Sequence, residues 1–200
     1  MVTTGMPRVG VLALQGDVRE HVRSLETLGA EVVAVRRPAE LAAVSGLVIP
    51  GGESSVIDKL ARTFGLQQPI RAAIAEGMPV YGTCAGLILL ADRITDGIRG
   101  QETFGGLDVT VQRNAFGSQV DSFETELAVA GFDEPVSATF IRAPRVVETG
   151  PDVEVLASLP DGAVVAVRQG ALLGTAFHPE MSGETRFHAL LLDLVAARAR

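Results

Sequence analysis

The chain has few cysteines, histidines and lysines, and each scarcity limits its chemistry. Cys84 is the one cysteine among 200 residues, so an internal disulfide is excluded. The three histidines that accompany it are too few to suggest a zinc cage of cysteine and histidine, and we expect neither a metal nor a cofactor. Lys59 is the only lysine, so Schiff-base catalysis, which needs a primary amine, would have to use this residue.

Basic runs and long apolar runs are also missing. Lysine and arginine total 17 against 24 acidic residues, a net charge of −7, and no basic run is longer than Arg36-Arg37. Nucleic-acid binding requires a positive patch that such a chain lacks. The apolar run at residues 87–91 falls far short of the roughly 20 residues of a membrane span, and residues 1–7 lack the apolar core of a signal peptide. We therefore predict a cytoplasmic protein without nucleic-acid or membrane partners, and a flexible tail at residues 1–7.

Composition and length are typical of one folded domain. Hydrophobic residues make up 47% and charged residues 20% of the chain, close to globular averages. A length of 200 residues is nearer to one domain of roughly 150 residues than to two, and no repeat or linker divides it. We predict a single domain over residues 1–200.

The order of apolar patterns predicts the fold class. Strand-like runs alternate with segments of helical spacing in the first half, which implies βαβ units, parallel strands and helices on both faces of a sheet. Strands are predicted at residues 8–14, 31–35, 47–49, 80–81, 107–113, 136–141, 153–159, 164–167 and 172–177, and helices at 18–28, 54–64 (capped by Ser54 or Ser55), 69–76, 87–91 and 185–197. The later strands follow one another without helices, which indicates antiparallel pairing. The prediction is an α/β fold: a three-layer, open, mostly parallel sheet with antiparallel strands added in the C-terminal half.

The segment Gly82-Thr83-Cys84-Ala85-Gly86 has the form of a nucleophile elbow. Small flanking residues permit a sharp turn from strand to helix that presents the central side chain. A helix N-terminus favours a thiolate at Cys84, and the N–H of Ala85 would point towards an oxyanion on the attacked carbon. A free cysteine is more commonly a small buried hydrophobe, but the elbow favours a nucleophile.

A base and its orienting group are available in His178-Pro179-Glu180. The triplet follows the strand at residues 172–177, so it can lie at the same sheet edge as the elbow, where His178 would take the Cys84 proton and Glu180 would fix the imidazole tautomer. Alone, these residues would suit an ordinary polar turn, and two ligands are too few for a metal site. The other histidines, His21 and His188, lie in predicted helices and are interpreted as surface or packing residues.

A glycine-rich loop ends the third strand at Pro50-Gly51-Gly52-Glu53-Ser54-Ser55. Two consecutive glycines allow the backbone to approach a ligand closely, which suits a second oxyanion donor or a clamp on a small polar substrate. A tight turn with a helix cap is an equally good interpretation, whereas no phosphate-binding motif is present. Arg113 and Arg142 could bind a substrate carboxylate, although arginines in loops are usually only solvated.

Together these motifs resemble the triad-type, or class I, glutamine amidotransferases. Further strings are similar to the glutaminase subunits of pyridoxal 5′-phosphate synthases, and the likeness covers nearly the whole chain from about Arg8. These strings are Leu14 to His21, Pro50 to Ser54, Arg113 to Gly117, Gln119 to Glu124 and Phe140 to Pro144. The resemblance implies a flavodoxin-like fold and a glutaminase that passes ammonia to a barrel-type synthase subunit in a large hetero-oligomer.

The same resemblance implies roles for individual residues. Cys84 would form a glutamyl thioester, His178 would move protons and Glu180 would orient His178. Gly52 and Ala85 would donate to the oxyanion. Glutamine would be bound by Gly52, Glu53, Ser54, Arg113, Ile141 and Arg142.

Free ammonia protonates in water and is lost to a synthase. We therefore predict that the Gly51–Gly52 peptide adopts its productive geometry only when the partner docks. Two other interpretations stay open on the sequence alone: another α/β cysteine hydrolase, and a catalytically silent regulatory subunit.

Overall fold

A computed structural model describes residues 6–113 and 122–200 of the chain. Most of the predicted tail at residues 1–7 lies outside the described residues. So do residues 114–121, which belong to two of the strings that carry the family resemblance.

Helices and strands follow the predicted order, with additions. The strands are β1 (Arg8–Leu12), β2 (Glu31–Val35), β3 (Gly46–Ile49), β4 (Val80–Thr83), β5 (Ala91–Thr95), β6 (Leu107–Gln112), β7 (Ser122–Leu127), β8 (Val136–Ile141), β9 (Arg145–Thr149), β10 (Glu154–Ser158), β11 (Val164–Gln169) and β12 (Leu172–Thr175). The helices are α1 (Val18–Thr27), α2 (Pro38–Leu41), α3 (Ser54–Thr63), α4 (Gln67–Ala75), α5 (Ala85–Leu90) and α6 (Arg186–Arg198), with a 3₁₀ turn at Pro179–Met181.

The central sheet is parallel on one side and mainly antiparallel on the other, where β5 and β6 still pair in parallel. Its strand order in the described residues is β2-β1-β3-β4-β12-β11-β9-β6-β5, with β10 paired to β11. The strands from β2 to β12 in this order are parallel, whereas β11 and β9 join their neighbours by antiparallel pairing. β7 and β8 form a separate antiparallel pair. The predicted mostly parallel sheet with antiparallel strands in the C-terminal half is confirmed.

Two groups of helices pack against this sheet. Helices α1 and α6 contact each other, and α3, α4 and α5 form the second group. Close packing of α6 depends on Gly46 of β3, where an added Cβ would lie 2.6 Å from the Val195 side chain. Phe187 and Leu191 of α6 are fully buried in the core. No helix of the described ranges has the length and apolarity that crossing a membrane requires.

Some elements differ from the sequence prediction. Helix α2 and strands β5, β7 and β9 were not predicted. For β5 and β7 the reason is that their side chains are mostly polar and exposed, so that the sequence shows no apolar run. The cap of α3 is Glu53 rather than Ser54 or Ser55: its carboxylate accepts the Ser55 backbone N–H at 3.3 Å. A carboxylate fills this role as well as a hydroxyl.

The parallel strands place several loops at one edge. Strands β1, β3, β4 and β12 are neighbours in the sheet, and parallel strands end at the same edge. The loops that follow them carry Asp17, Gly51, Cys84 and His178, so the fold brings together residues that are distant in sequence.

Candidate active site

Cys84 lies at a strained turn between β4 and α5. Its backbone has φ 49° and ψ −99°, and few non-glycine residues adopt positive φ. The Cys84 N–H donates to the Thr175 carbonyl at 2.7 Å, which ties the turn to the end of β12. Strain of this kind persists only where surrounding contacts hold it, and it is concentrated at functional sites.

The two glycines of the elbow are required by close backbone packing. A Cβ on Gly82 would lie 2.5 Å from the carbonyl of Gly86, and a Cβ on Gly86 would lie 2.1 Å from the Ile49 carbonyl oxygen. Real Cβ atoms do not approach backbone so closely. The spacing that predicts the elbow therefore has a direct steric cause.

His178 and Glu180 are brought to the elbow by the end of β12. The His178 N–H donates to the Thr139 carbonyl at 2.9 Å, which fixes its backbone against β8. Its side chain is buried, and Nδ1 lies 2.8 Å from Oε1 of the buried Glu180 in the 3₁₀ turn. Because Glu180 occupies Nδ1, Nε2 is the ring nitrogen left for the hydrogen bond between His178 and Cys84.

Asp17 is a second carboxylate on His178 that sequence reasoning missed. Its Oδ2 lies 3.4 Å from His178 Nδ1, and its side chain is 37% exposed. Its place in the sequence could have indicated this contact, because Asp17 follows β1, which ends at the same sheet edge as β4 and β12. One ligand atom each of Asp17, His178 and Glu180 lie within 4.8 Å of one another, close enough to hold a cation. Hydrogen bonding to His178 accounts for the same contacts without an ion.

The charges at this site favour a protonated His178. Burial opposes the imidazolium, but hydrogen bonds to Asp17, Cys84 and Glu180 outweigh it and raise the pKa of His178. The hydrogen bond from His178 lowers the pKa of Asp17. Burial raises the pKa of Glu180, against the lowering effect of its hydrogen bond with His178. The His178 ring thus lies between the sulfur of Cys84 and two carboxylates, which together stabilise its charged form.

The other two histidines are buried behind the triad. His21 and His188 have no exposed surface, so the surface interpretation was wrong and the packing interpretation was right. Nδ1 of His21 lies 2.9 Å from Nε2 of His188. Nε2 of His21 lies 3.1 Å from the Thr83 hydroxyl and 3.5 Å from Glu180 Oε1.

A small polar pocket opens beside Cys84. Its volume is about 60 Å³. All six residues expected to bind glutamine line it, together with Cys84 and Ile88: Gly52, Glu53, Ser54, Arg113, Ile141 and Arg142. Arg113 donates to Glu53 at 2.7 Å and to Gln101 at 2.9 Å. Gln101, which the sequence did not single out, donates in turn to Ser54 at 3.0 Å. Arg142 has φ 44°, a second strained position at the pocket.

The glycine-rich loop is anchored on the loop after β1. The Gly51 carbonyl accepts the Asp17 N–H at 3.2 Å, and the Glu53 N–H donates to Gln15 Oε1 at 2.8 Å. A Cβ on Gly51 would lie 2.3 Å from His178 Cε1. The loop therefore packs directly on the imidazole, and only glycine fits there without displacing the ring.

Comparison with known proteins gives consistent results along the chain. The SNO glutamine amidotransferase family model matches residues 11–197. A protein of Leifsonia xyli named pyridoxal 5′-phosphate synthase subunit PdxT is 66% identical over 195 residues, covering 97% of this chain and 98% of its own length. The protein of the same name from Acidothermus cellulolyticus is 59% identical over 204 residues, covering 100% of this chain and 99% of its own length.

Solved structures agree with these relatives. A crystal structure described as a glutamine amidotransferase superposes with a TM-score of 0.88 at 46% identity, covering 94% of this chain and 98% of the other. A putative GMP synthase subunit of Thermoplasma acidophilum has a TM-score of 0.68 at 18% identity, covering 98% of this chain and 96% of its own, and shows the shared fold. Sequence and structure together establish that the chain belongs to the SNO glutamine amidotransferase family.

Proposed function

We propose that the chain hydrolyses L-glutamine to L-glutamate and ammonia, as the glutaminase subunit of a pyridoxal 5′-phosphate synthase. The observation that carries this proposal is the meeting of Cys84, His178 and Glu180 at one sheet edge, with His178 Nδ1 2.8 Å from Glu180 Oε1. The relatives named PdxT, at 57–66% identity, give the synthase context.

The reaction follows from the properties of the three side chains. The Cys84 proton passes to His178, and the sulfur attacks the side-chain amide carbon of glutamine. The imidazolium then donates its proton to the leaving nitrogen, so that ammonia departs and a glutamyl thioester remains. Water then attacks the thioester carbon while His178 accepts a proton from the water, and His178 returns this proton to the departing sulfur, which releases glutamate and restores the thiol. Glu180 holds the imidazole in the tautomer that these transfers need.

The oxyanion formed in both steps needs donors. We assign this role to the backbone N–H groups of Gly52 and Ala85. The Gly51–Gly52 peptide is held by the hydrogen bond from Asp17 N–H to the Gly51 carbonyl at 3.2 Å. Rotation of this peptide would break that hydrogen bond. A docked partner could therefore control the oxyanion donor at Gly52 by changing the orientation of the peptide.

Glutamine recognition is assigned to the pocket beside Cys84. Glu53 and Arg113, which both line this pocket, form an ion pair with 2.7 Å between the Glu53 Oε1 and Arg113 Nη2 atoms. Free glutamine carries an ammonium and a carboxylate on its α-carbon, so it can replace each partner of this ion pair. We propose that Glu53 receives the ammonium, that Arg113 and Arg142 receive the carboxylate, and that Gly52, Ser54 and Ile141 complete the site.

The synthase reaction itself belongs to a partner subunit. Lys59 is the only lysine and is exposed on α3, so this chain is poorly equipped for imine chemistry on sugar phosphates. We propose a barrel-type synthase partner in a large hetero-oligomer, within which residues 1–200 work as one glutaminase domain. The continuous hydrophobic core supports the single domain.

Glutamine-dependent ammonia release by the purified chain, with and without the synthase subunit, tests the proposal. Release should rise with the partner and disappear in Cys84→Ala. No release with a working synthase bound would remove the glutaminase assignment and favour a silent subunit. Turnover of esters or peptides without glutamine turnover would favour another cysteine hydrolase.

A further inference from the structure

Buried polar contacts link the C-terminal helix to the triad carboxylate: two hydrogen bonds lead from His188 through His21 to Thr83, and His21 also approaches Glu180. His188 of α6 contacts His21 of α1 at 2.9 Å, between Nε2 and Nδ1. His21 Nε2 then faces the Thr83 hydroxyl at 3.1 Å and Glu180 Oε1 at 3.5 Å. Both imidazoles are completely buried. The mechanism above uses neither of them.

The surroundings of one atom, Nδ1 of His188, determine which nitrogen carries the proton in both His188 and His21. Nδ1 of His188 is buried and has no hydrogen-bond partner among the described residues. A buried N–H without an acceptor is costlier than a bare lone pair, so His188 carries its proton on Nε2 and donates it to His21 Nδ1. His21 must then carry its own proton on Nε2, where it faces Thr83 and Glu180.

The opposite arrangement is worse at both ends. If the Thr83 hydroxyl donated to His21 Nε2, His21 would donate from Nδ1, and His188 would be left with an orphaned N–H. It would also turn a nitrogen lone pair towards the Glu180 carboxylate. The geometry therefore selects one direction for the whole chain of hydrogen bonds.

Both imidazoles are neutral in this environment. The titratable groups around His21 are His188, His178, Glu180 and Tyr81. Burial, with the neighbouring His188 and His178, lowers the pKa of His21, and burial lowers the pKa of His188 to about 4. A neutral donor on Glu180 keeps the carboxylate available to His178, which a second imidazolium would compete for.

We propose that His21 is a positioning residue for Glu180, with its tautomer set by His188. Its Nε2–H bonds the hydroxyl of Thr83, the residue before Cys84, at 3.1 Å and at the same time faces, at 3.5 Å, the Glu180 oxygen that binds His178. One ring thus ties both sides of the Cys84–His178 pair to the core. The inference rests on the proposed role of the triad in glutamine hydrolysis.

Histidine NMR tests the tautomers independently of glutaminase activity. The chain has only three histidines, so ¹⁵N spectra of the full chain at neutral pH can be assigned with His21 and His188 variants. Two neutral rings protonated at Nε2 are expected. A His21 ring that is protonated at Nδ1, or that is charged at neutral pH, would overturn the proposal.

Paired variants test the positioning role in the complex with the synthase subunit. His21→Gln keeps a donor near the Nε2 position, whereas His21→Leu removes it. In His21→Leu we expect kcat to fall about tenfold with KM changed less than about twofold. The acid limb of the pH profile should move up by about half a unit, because the carboxylate loses the N–H dipole that faces it at 3.5 Å. His21→Gln should recover most of kcat.

Val195→Ala is the matched control, since Val195 is buried on α6 outside the described site. It should lower Tm without moving the pH profile. If wild type turns over glutamine and His21→Leu matches it in kcat and pH profile, the positioning role is refuted. If wild type itself is inactive, the proposed function fails, and the NMR result still decides the tautomers.

Discussion

Replacing Glu180 by Gln tests which carboxylate orients His178. Glu180 is fully buried and lies 2.8 Å from His178 Nδ1, whereas Asp17 lies 3.4 Å away and its side chain is 37% exposed. The substitution keeps the shape of the side chain and removes its charge. Asp17→Asn is the matched comparison, because it removes the charge of a carboxylate that faces the same nitrogen from a partly exposed position.

The two distances and exposures give the expected magnitudes. At 2.8 Å and an effective dielectric constant of about 20, the Coulomb attraction is about 6 kcal/mol. The cost of burying the Glu180 charge and the hydrogen bond retained by glutamine offset part of it. About 3–4 kcal/mol of transition-state stabilisation should be lost, a fall in kcat of about 10²–10³-fold. Solvent screens Asp17, so Asp17→Asn should cost about 1 kcal/mol, or about fivefold.

Glutamine-dependent ammonia release by the complex with the synthase subunit measures both effects. Thermal unfolding is the control: burial raises the pKa of Glu180, so its charge opposes folding and Glu180→Gln should not lower Tm. A kcat for Glu180→Gln within tenfold of wild type, or an equal loss in Asp17→Asn, would refute the assignment of Glu180 as the dominant orienting group.

Three further predictions follow from the same contacts. Gly51→Ala should lower kcat at least tenfold, measured by ammonia release, because its Cβ would meet His178 Cε1 at 2.3 Å; unchanged kcat would contradict the packing. Arg113→Gln should raise the KM for glutamine at least tenfold with kcat within about threefold, in steady-state kinetics; a loss confined to kcat would contradict a binding role. Burial lowers the pKa of His188 to about 4, so the unfolded chain binds more protons between about pH 4 and 6.5. The free energy of unfolding should therefore fall as pH falls through this window, by up to about 1.4 kcal/mol per pH unit for one proton. Denaturant titrations should show a shallower fall in His188→Gln, and an equal slope would contradict the assignment.

Much of the fold could be predicted because its parallel half is built from buried strands. Apolar runs mark β1, β3 and β4 clearly, and Gly82 and Gly86 mark the elbow because backbone packing leaves no room for Cβ atoms there. The strands β5 and β7 could not be predicted from the sequence, because their stability comes from strand pairing rather than from an apolar face. Polar sequences of this kind give no periodic signal.

The site was only partly predictable for a different reason. Cys84, His178 and Glu180 lie in recognisable local motifs. Asp17, Gln101 and His21 act through contacts that only the folded chain creates. Their roles depend on side chains distant in sequence, such as the 3.4 Å approach of Asp17 to His178.

The pairing of β4 with β12 places Cys84 and His178 after adjacent strands, separately from part of the pocket lining. Thr83 and Thr175 are register partners, so Cys84 and His178 follow adjacent, hydrogen-bonded strands. The chain between those strands supplies Arg113, Ile141 and Arg142 to the pocket. Changes in the intervening segment can alter the shape and charge of the pocket while the distance between thiol and imidazole stays fixed by the sheet. Such an arrangement lets the pocket wall formed by Arg113, Ile141 and Arg142 vary, while Gly52, Glu53 and Ser54 are supplied separately by the loop after β3.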